Sequence, residues 1–337
     1  MTAQGPERPA LRVGIVGCGL VGRKRAAALG RDGLVAAFDV DAAATRSLVE
    51  GYGGAACRSL DELLGHEPDV VVVAVPHDRL ADHACTALEA SAHVLVEKPA
   101  GIGVADVERI ARAAEAAGRR VKVGFNHRFH PATAEAIALA RSGRFGPVLH
   151  MRARYGHGGR LGYESEWRAE RAISGGGELV DQGMHLFDLS YALHGPLPLH
   201  SALLRTAYWP MEVEDNAVVV LGRGDGGPWT LFHASWTDWK NLFSLEIFCR
   251  TAKLQVDGLA RSYGPQRLTV YTMGPALGPP EVETTEFGPD DESWSREWQE
   301  LAEAIHAGDG RPLAGDLDSA LYGWRCVEEA YARHASG

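Results

Sequence analysis

The chain has 337 residues, 45% hydrophobic and 23% charged, with a formal net charge of -10 at pH 7. That length supports about two domains with their own cores, and the acidity argues against nucleic acid or an anionic membrane surface as the main partner. Five scattered cysteines without a C-x-x-C pair, no signal-peptide h-region in the first residues, and apolar runs no longer than "VVVVAV" predict a reduced, cytoplasmic protein.

Residues 11–16 form the first apolar, β-type run. Gly17, Gly19 and Gly22 follow as G-x-G-x-x-G, and residues 23–29 are helix formers. A second apolar run over 34–38 ends in Asp39, 20 positions after Gly19. This is the strand–turn–helix context that makes the glycine motif informative. The first glycine allows the turn, the second lets a pyrophosphate reach the backbone, and the third lets helix and strand pack closely. Leu20, Val21 and Gly22 open the helix whose N-terminus faces the phosphates. Asp39 would bind the adenosine ribose hydroxyls and repel a 2′-phosphate, which favours NAD over NADP, although Arg46 lies further along.

Alternation continues: helix over 42–51, strand over 69–75, helix over 80–90, the strand "HVLVEKP", helix over 104–117 and the strand "RVKVGF". The pattern predicts a doubly wound parallel sheet spanning 1–124 and a second, α+β domain over 125–337. Ligands of such sheets lie past the carboxyl ends of the strands. Val75, Pro76, His77, Glu97, Lys98 and, at the domain junction, Asn126 are therefore further cofactor-side candidates. Lys98 at such a rim reads either as half of a solvated Glu–Lys pair or as a cation near a substrate oxygen.

In "GGGELVDQGMHLFDL", Asp181, His185 and Asp188 fall at i, i+4 and i+7, so one continuous helix would present all three on one face. They read either as a buried polar set or as half of an active site. The preceding Gly175, Gly176 and Gly177 would permit close backbone approach to a ligand, or simply form a flexible loop.

"GIVGCGLVG", "HVLVEKPAG", "VGFNHRFHP" and "GGGELVDQGMHLFDL", in that order and spacing, resemble the glucose–fructose oxidoreductase / inositol dehydrogenase / rhizopine-catabolism (Gfo/Idh/MocA) family. The resemblance covers essentially the whole chain. It implies an N-terminal Rossmann domain and a C-terminal α+β domain with a large, mostly antiparallel open sheet. It maps the family's lysine to Lys98 and its paired Asp and His to Asp181 and His185. Oxidising a hydroxyl requires a positioned base and a partner for the developing alkoxide. His185 suits the base because its intrinsic pKa is near neutrality, with Asp181 orienting it or the substrate and Lys98 stabilising the alkoxide. The alternative, Lys98 as base, stays open. Asp188 reads as structural.

Past the junction, Arg128 is a substrate candidate, while His127 and His130 are too few for a metal site, and none is expected. Residues 154–168, "RYGHGGRLGYESEWR", read as a loop whose Tyr155, His157, Glu166, Trp167 and Arg168 could line a sugar pocket. Glu164 and Glu166 would suit an amino substituent. From 199 to about 282, β-type runs joined by polar turns predict an antiparallel sheet. Trp236 and Trp239 could line the pocket or sit on a buried face, and the sheet's outer face could form a homo-oligomer. Helices over 293–307 and 317–334 close the chain.

The resulting expectation is an NAD-dependent oxidation of a ring hydroxyl of a sugar, aminosugar (an aminoglycoside precursor among them) or cyclitol to a ketone. The alternatives are a redox-neutral, NAD-dependent glycoside hydrolase and a non-catalytic dinucleotide sensor.

Overall fold

Four consecutive valines, Val70–Val73, have no exposed surface in the computed structural model, which describes residues 9–335. Burial on both sides is the condition of a central strand in a parallel sheet covered by helices. Among the described residues, the chain divides into two compact units. The first comprises the stretch up to Ala100, Ala105–Gly124 and Trp294–Leu317; the second comprises Gly101–Val104, Phe125–Ser293 and the residues from Asp318 onward.

The first unit runs β1 (Arg12–Val16), α1 (Leu20–Ala27), β2 (Gly33–Phe38), α2 (Ala42–Tyr52), β3 (Ala55–Cys57), α3 (Leu60–Leu64), β4 (Val70–Val73), α4 (His77–Glu89), β5 (His93–Val96), α5 (Val104–Ala117) and β6 (Val121–Val123). Its six strands are parallel in the order β3-β2-β1-β4-β5-β6, with Val13 opposite both Leu34 and Val70. The order reverses beside β1, so the glycine turn after β1 stands at the crevice where such sheets take ligands.

The second unit contains α6 (Pro131–Arg141), β7 (Val148–Gly156), and the short helices α7 (Arg171–Ser174) and α8 (Glu178–Asp181), then α9 (Gly183–His194). Strands β8 (Leu199–Arg205), β9 (Asn216–Gly222), β10 (Trp229–Ser235), β11 (Leu242–Cys249), β12 (Ala252–Asp257), β13 (Arg267–Thr272) and β14 (Glu281–Glu286) follow. The eight-stranded sheet has the order β14-β13-β12-β11-β7-β10-β9-β8 and is antiparallel except for β7 and β10. Residues Gly183–Ser190 of α9 are all buried, His185 and Asp188 included, so the helix is enclosed on every side.

Of the last two helices, α10 (Ser293–Ala307) joins the first unit and α11 (Leu317–Ala335) the second. Trp298, Leu301 and Ala304 of α10 share a core with Val13, Ile15, Val72 and Leu95. Trp298 Nε1 also donates to Asp32 (2.8 Å). A segment late in the chain therefore supplies part of the first unit's cover. Strand β7 is a second departure: residues 154–156 continue a central strand, not a loop. Arg152 and Arg154 obscured its alternation. Arg152 is accommodated by an ion pair to Glu246 on β11 (3.0 Å).

Candidate active site

In the first unit, Gly17 has φ +92°, and a Cβ there would lie 2.2 Å from the Ala74 carbonyl oxygen. A Cβ on Gly22 would lie 1.9 Å from the Gly17 carbonyl oxygen, so the loop is closed against the backbone after β4 at the first point and against itself at the second. Gly19 is the opposite case: a Cβ there would meet nothing within 4 Å. No side chain caps α1 at Gly19, and Leu20 is 73% exposed. The helix N-terminus is thus open to an anion, the arrangement a pyrophosphate requires. Asp39 accepts from Cys18 N (2.7 Å) and Asp41 N (2.9 Å), bracing the glycine loop while staying partly exposed at the end of β2. NAD fits this donor set. Arg46 is exposed on α2.

Beyond β4, Val75 is half-buried, Pro76 is exposed and caps α4, and His77 is buried in that helix's first turn. Lys98 is half-buried two residues past β5, and its peptide bond to Pro99 is cis. Glu97, expected beside the cofactor, has another task. Its carboxylate accepts from Arg25 Nε of α1 (2.6 Å), and Arg25 also binds Glu297 of α10 (2.5 Å). Burial opposes the charge on Arg25, but the two carboxylates outweigh it and push its pKa up. The residue before Lys98 is therefore tied to the helix that carries the glycine loop.

In the second unit, the continuous helix expected from Asp181 to Asp188 is two helices meeting at Gln182. Asp181 ends α8, and His185 lies in the first turn of α9 with its N–H donating to the Gln182 carbonyl (3.1 Å). The three side chains go to different partners. Asp188 is buried and receives Arg128 Nε (2.6 Å) and Ser319 Oγ (2.6 Å). Arg128, a substrate candidate from sequence, is therefore a brace between the junction, α9 and α11. Asp181 is half-buried, with Arg168 Nε at 3.5 Å.

His185 is enclosed by rings. His127 stacks on it with centroids 3.7 Å apart and 27° between planes, and Phe125 and Tyr155 meet it edge-on, each at 6.1 Å. Tyr155 contacts Tyr263 (5.5 Å) and His127 (4.9 Å). Burial first, then the neighbouring Tyr263 and Asp181, push the Tyr155 hydroxyl far above its usual range, and burial pushes Tyr263 up to about 12. Both are neutral hydrogen-bonding groups at physiological pH.

With the Gln182 amide turned so that its nitrogen faces acceptors, that nitrogen donates to the Tyr155 carbonyl (3.0 Å) and to the Glu178 carboxylate, and its oxygen accepts from His157 Nε2 (3.2 Å). His157 Nδ1 accepts from Gly159 N (2.9 Å), so the tautomer is fixed with the proton on Nε2. Burial, opposed by Asp181, lowers the pKa of His157 and keeps that ring neutral. Glu178 itself is buried.

Other predicted residues stand further from this cluster's hydrogen bonds. Glu166 is paired with Arg160 (2.7 Å) and Arg168 (3.5 Å), and Arg168 covers the Trp167 ring at 4.4 Å. Trp236 has no exposed surface; it packs edge-on against Tyr163 (5.0 Å) in a core cluster with Trp209 and Val213, so it offers no face to a sugar. Trp239 is 67% exposed. Asn126 is buried and donates to Ser293 Oγ (2.8 Å). Gly175, Gly176 and Gly177 press against Trp324, the Tyr331 hydroxyl and the Glu214 carbonyl, where added Cβ atoms would come within 2.8, 2.0 and 2.0 Å. They serve chain packing, not a ligand. His127, Glu178, Gln182 and Tyr263 were not recognised as site residues from sequence. They lie up to 136 positions from one another; Glu178 and Gln182 share the segment of Asp181 and His185, and no spacing connects that segment with His127 or Tyr263.

Residues 11–125 match the oxidoreductase family GFO_IDH_MocA, NAD-binding Rossmann fold, and residues 133–255 match the GFO/IDH/MocA C-terminal domain. Glucose-6-phosphate 3-dehydrogenase of Bacillus subtilis is 28% identical over 187 residues, 54% of this chain and 53% of that protein. Inositol 2-dehydrogenase 3 of Saccharopolyspora erythraea is 33% identical over 145 residues, 41% of this chain and 43% of that protein. The chain spans about half the length of the curated relatives it matches. Among solved structures, aldose-aldose oxidoreductase from Caulobacter crescentus superimposes with a TM-score of 0.82 at 25% identity, covering 97% of this chain and 98% of that one. With both domains matched in order, this chain belongs to the Gfo/Idh/MocA oxidoreductase family, and its first domain is an NAD-binding Rossmann domain.

Proposed function

We propose that the protein oxidises a ring hydroxyl of a sugar, aminosugar or cyclitol to a ketone, with Lys98, Asp181 and His185 as its catalytic set. The observation that carries this reading is the His185 imidazole, enclosed by His127, Phe125 and Tyr155 beside the end of α8 where Asp181 emerges. Held at the glycine loop and Asp39, NAD would supply the hydride acceptor for the carbinol carbon. His185 removes the hydroxyl proton, Asp181 holds the substrate or imidazole in place, and the Lys98 ammonium offsets the alkoxide charge. Tyr155, Tyr263, His157 and Gln182, all neutral, supply the directional hydrogen bonds that a polyhydroxylated ring needs. Asp39 makes NAD, not NADP, the preferred dinucleotide. The relatives' names support the substrate class: one is a dehydrogenase of a sugar phosphate and the other of a cyclitol.

An amino-substituted ring, an aminoglycoside precursor included, suits the charges best. Asp181 and Glu178 both act on the hydroxyls of Tyr155, Tyr163 and Tyr263, raising all three pKa values after burial. Glu166 is matched by two arginines and Asp181 by one contact from Arg168, so Asp181 is the carboxylate that would receive an ammonium, with the charge of the buried Glu178 behind it. The open face of the eight-stranded sheet, where His150 stacks between Trp229 (4.3 Å) and Phe248 (4.2 Å), is the surface through which the chain forms a homo-oligomer in this reading.

The test is NADH formation at 340 nm against sugars, cyclitols, aminosugars and aminoglycosides, with NAD and NADP in parallel. Activity with NAD on one such class supports the reading. Silence across the panel by a chain that still binds NAD contradicts it. Glu178→Gln should raise KM for amino substrates and leave KM for neutral ones unchanged; equal effects on both would remove the aminosugar assignment.

A further inference from the structure

The imidazole closest to His185 belongs to His127, on the short 3-10 helix Asn126–Phe129. The two rings lie nearly parallel with centroids 3.7 Å apart, and both residues are buried. His127 also meets His130 edge-on at 5.5 Å, and His130 Nδ1 lies 3.8 Å from Asp291. A row of three imidazoles ending at a carboxylate thus runs away from the proposed base.

We propose that His127 is a positioning residue that sets the protonation state of His185, acting on it as a stacked, titratable partner. Two imidazolium ions cannot coexist at this separation inside a buried cluster, because like charges disfavour one another's ionised form. The stack therefore admits one proton where two isolated imidazoles would take two, and the pair titrates as a unit. The face-to-face contact also fixes the ring plane of His185, while Asn126 Oδ1, 3.3 Å from His127 Nδ1, holds the stacking ring in turn. The inference rests on the reading of His185 as base.

The other groups around α9 leave this coupling in place. Tyr155 on β7 is neutral. Glu178 and Asp181 on α8 are the acidic neighbours, Asp181 with Arg168 beside it. Arg128 on the 3-10 helix is matched by Asp188. On α6, Glu135 is exposed and Arg141 donates to the Ala192 carbonyl; on β10, His233 bonds Asn216 (3.0 Å). His127 is the titratable ring in direct stacking contact with His185.

The experiment combines pH–rate profiles of kcat/KM with NMR titration of the His185 ring in the full-length protein without substrate. It uses the wild type, His127→Phe, which keeps a stacking ring but cannot take a proton, and His127→Gln, which removes the ring. In His127→Phe the His185 titration should become that of a single group and move to higher pH by about one unit, the size of a typical charge-neighbour effect. The acid limb of kcat/KM should follow it. In His127→Gln, kcat should fall about tenfold, the order expected when a general base loses its fixed orientation. If the NMR titration of His185 in either folded variant matches the wild type, the inference is overturned. If the NMR titration moves while the kcat/KM profile stays put, the coupling stands and the assignment of His185 as base fails instead.

Discussion

The glycine loop after β1 and the cluster around α8 and α9 work by opposite means. The loop functions through side chains it lacks: Gly19 leaves space for a ligand, while Gly17 and Gly22 let the backbone close on itself. The cluster functions through side chains crowded together, with His185, His127, Tyr155, Tyr263, His157, Gln182 and Glu178 drawn from several elements. A ligand site made of backbone is fixed by a few neighbouring residues and tolerates one chemistry, a pyrophosphate. A site made of side chains from distant segments can be altered at any of them, which suits the part of an enzyme that selects its substrate.

This contrast is sharpened first by removing the proposed acid–base groups. Lys98→Ala and His185→Ala should each lower kcat by roughly 10²–10⁴-fold, the range of a positioned acid–base group, with NAD affinity measured by fluorescence titration unchanged. Near-normal turnover in both would break the assignment. The next largest effect lies in the buried ion pairs. Arg25→Ala strands Glu97 and Glu297, and removing one partner of a buried pair costs about 3–5 kcal/mol, to be read from urea unfolding. An unchanged unfolding midpoint would show that water reaches these carboxylates.

Asp39→Ala removes the acceptor that holds Cys18 N (2.7 Å) and the group facing the ribose. NAD should bind about tenfold more weakly, by the worth of a charge-assisted hydrogen bond, and discrimination against NADP should relax. Equal preference in wild type and variant would remove Asp39 from cofactor selection.

A separate effect is a slope in stability with pH. Burial, aided by Arg119 and Arg120, holds His93 down to about 4, and burial beside His150 does the same for His194. Their folded pKa values lie below the ordinary 6.5, so the unfolded chain binds protons that the folded chain refuses between pH 6.5 and 4. Stability should fall as pH falls through that window, and these groups should contribute no slope above it. His93→Gln should flatten part of the slope in thermal melts.

The regions also differ in how far the sequence reveals them. Gly17, Gly19, Gly22 and Asp39 are legible because their geometry is local to one β–α–β unit. Lys98, Asp181 and His185 stand out through motif resemblance, since nothing in their spacing distinguishes a catalytic set from a packed one. Tertiary structure decides the remainder. The i, i+4, i+7 pattern breaks at Gln182, sending Asp188 to Arg128. Trp236 faces a core cluster, the three glycines make room for Trp324 and Tyr331, and α10 joins the first unit. His127 lies 58 positions from His185, and only the folded chain brings their rings together.

The central claim is net oxidation of a ring hydroxyl, and the stoichiometry of NADH tests it most directly. With the best substrate in excess over enzyme and NAD in excess over substrate, NADH at 340 nm and ketone by mass spectrometry should rise together, one for one, to the amount of substrate consumed. Substrate consumption without accumulating NADH or ketone would contradict the account.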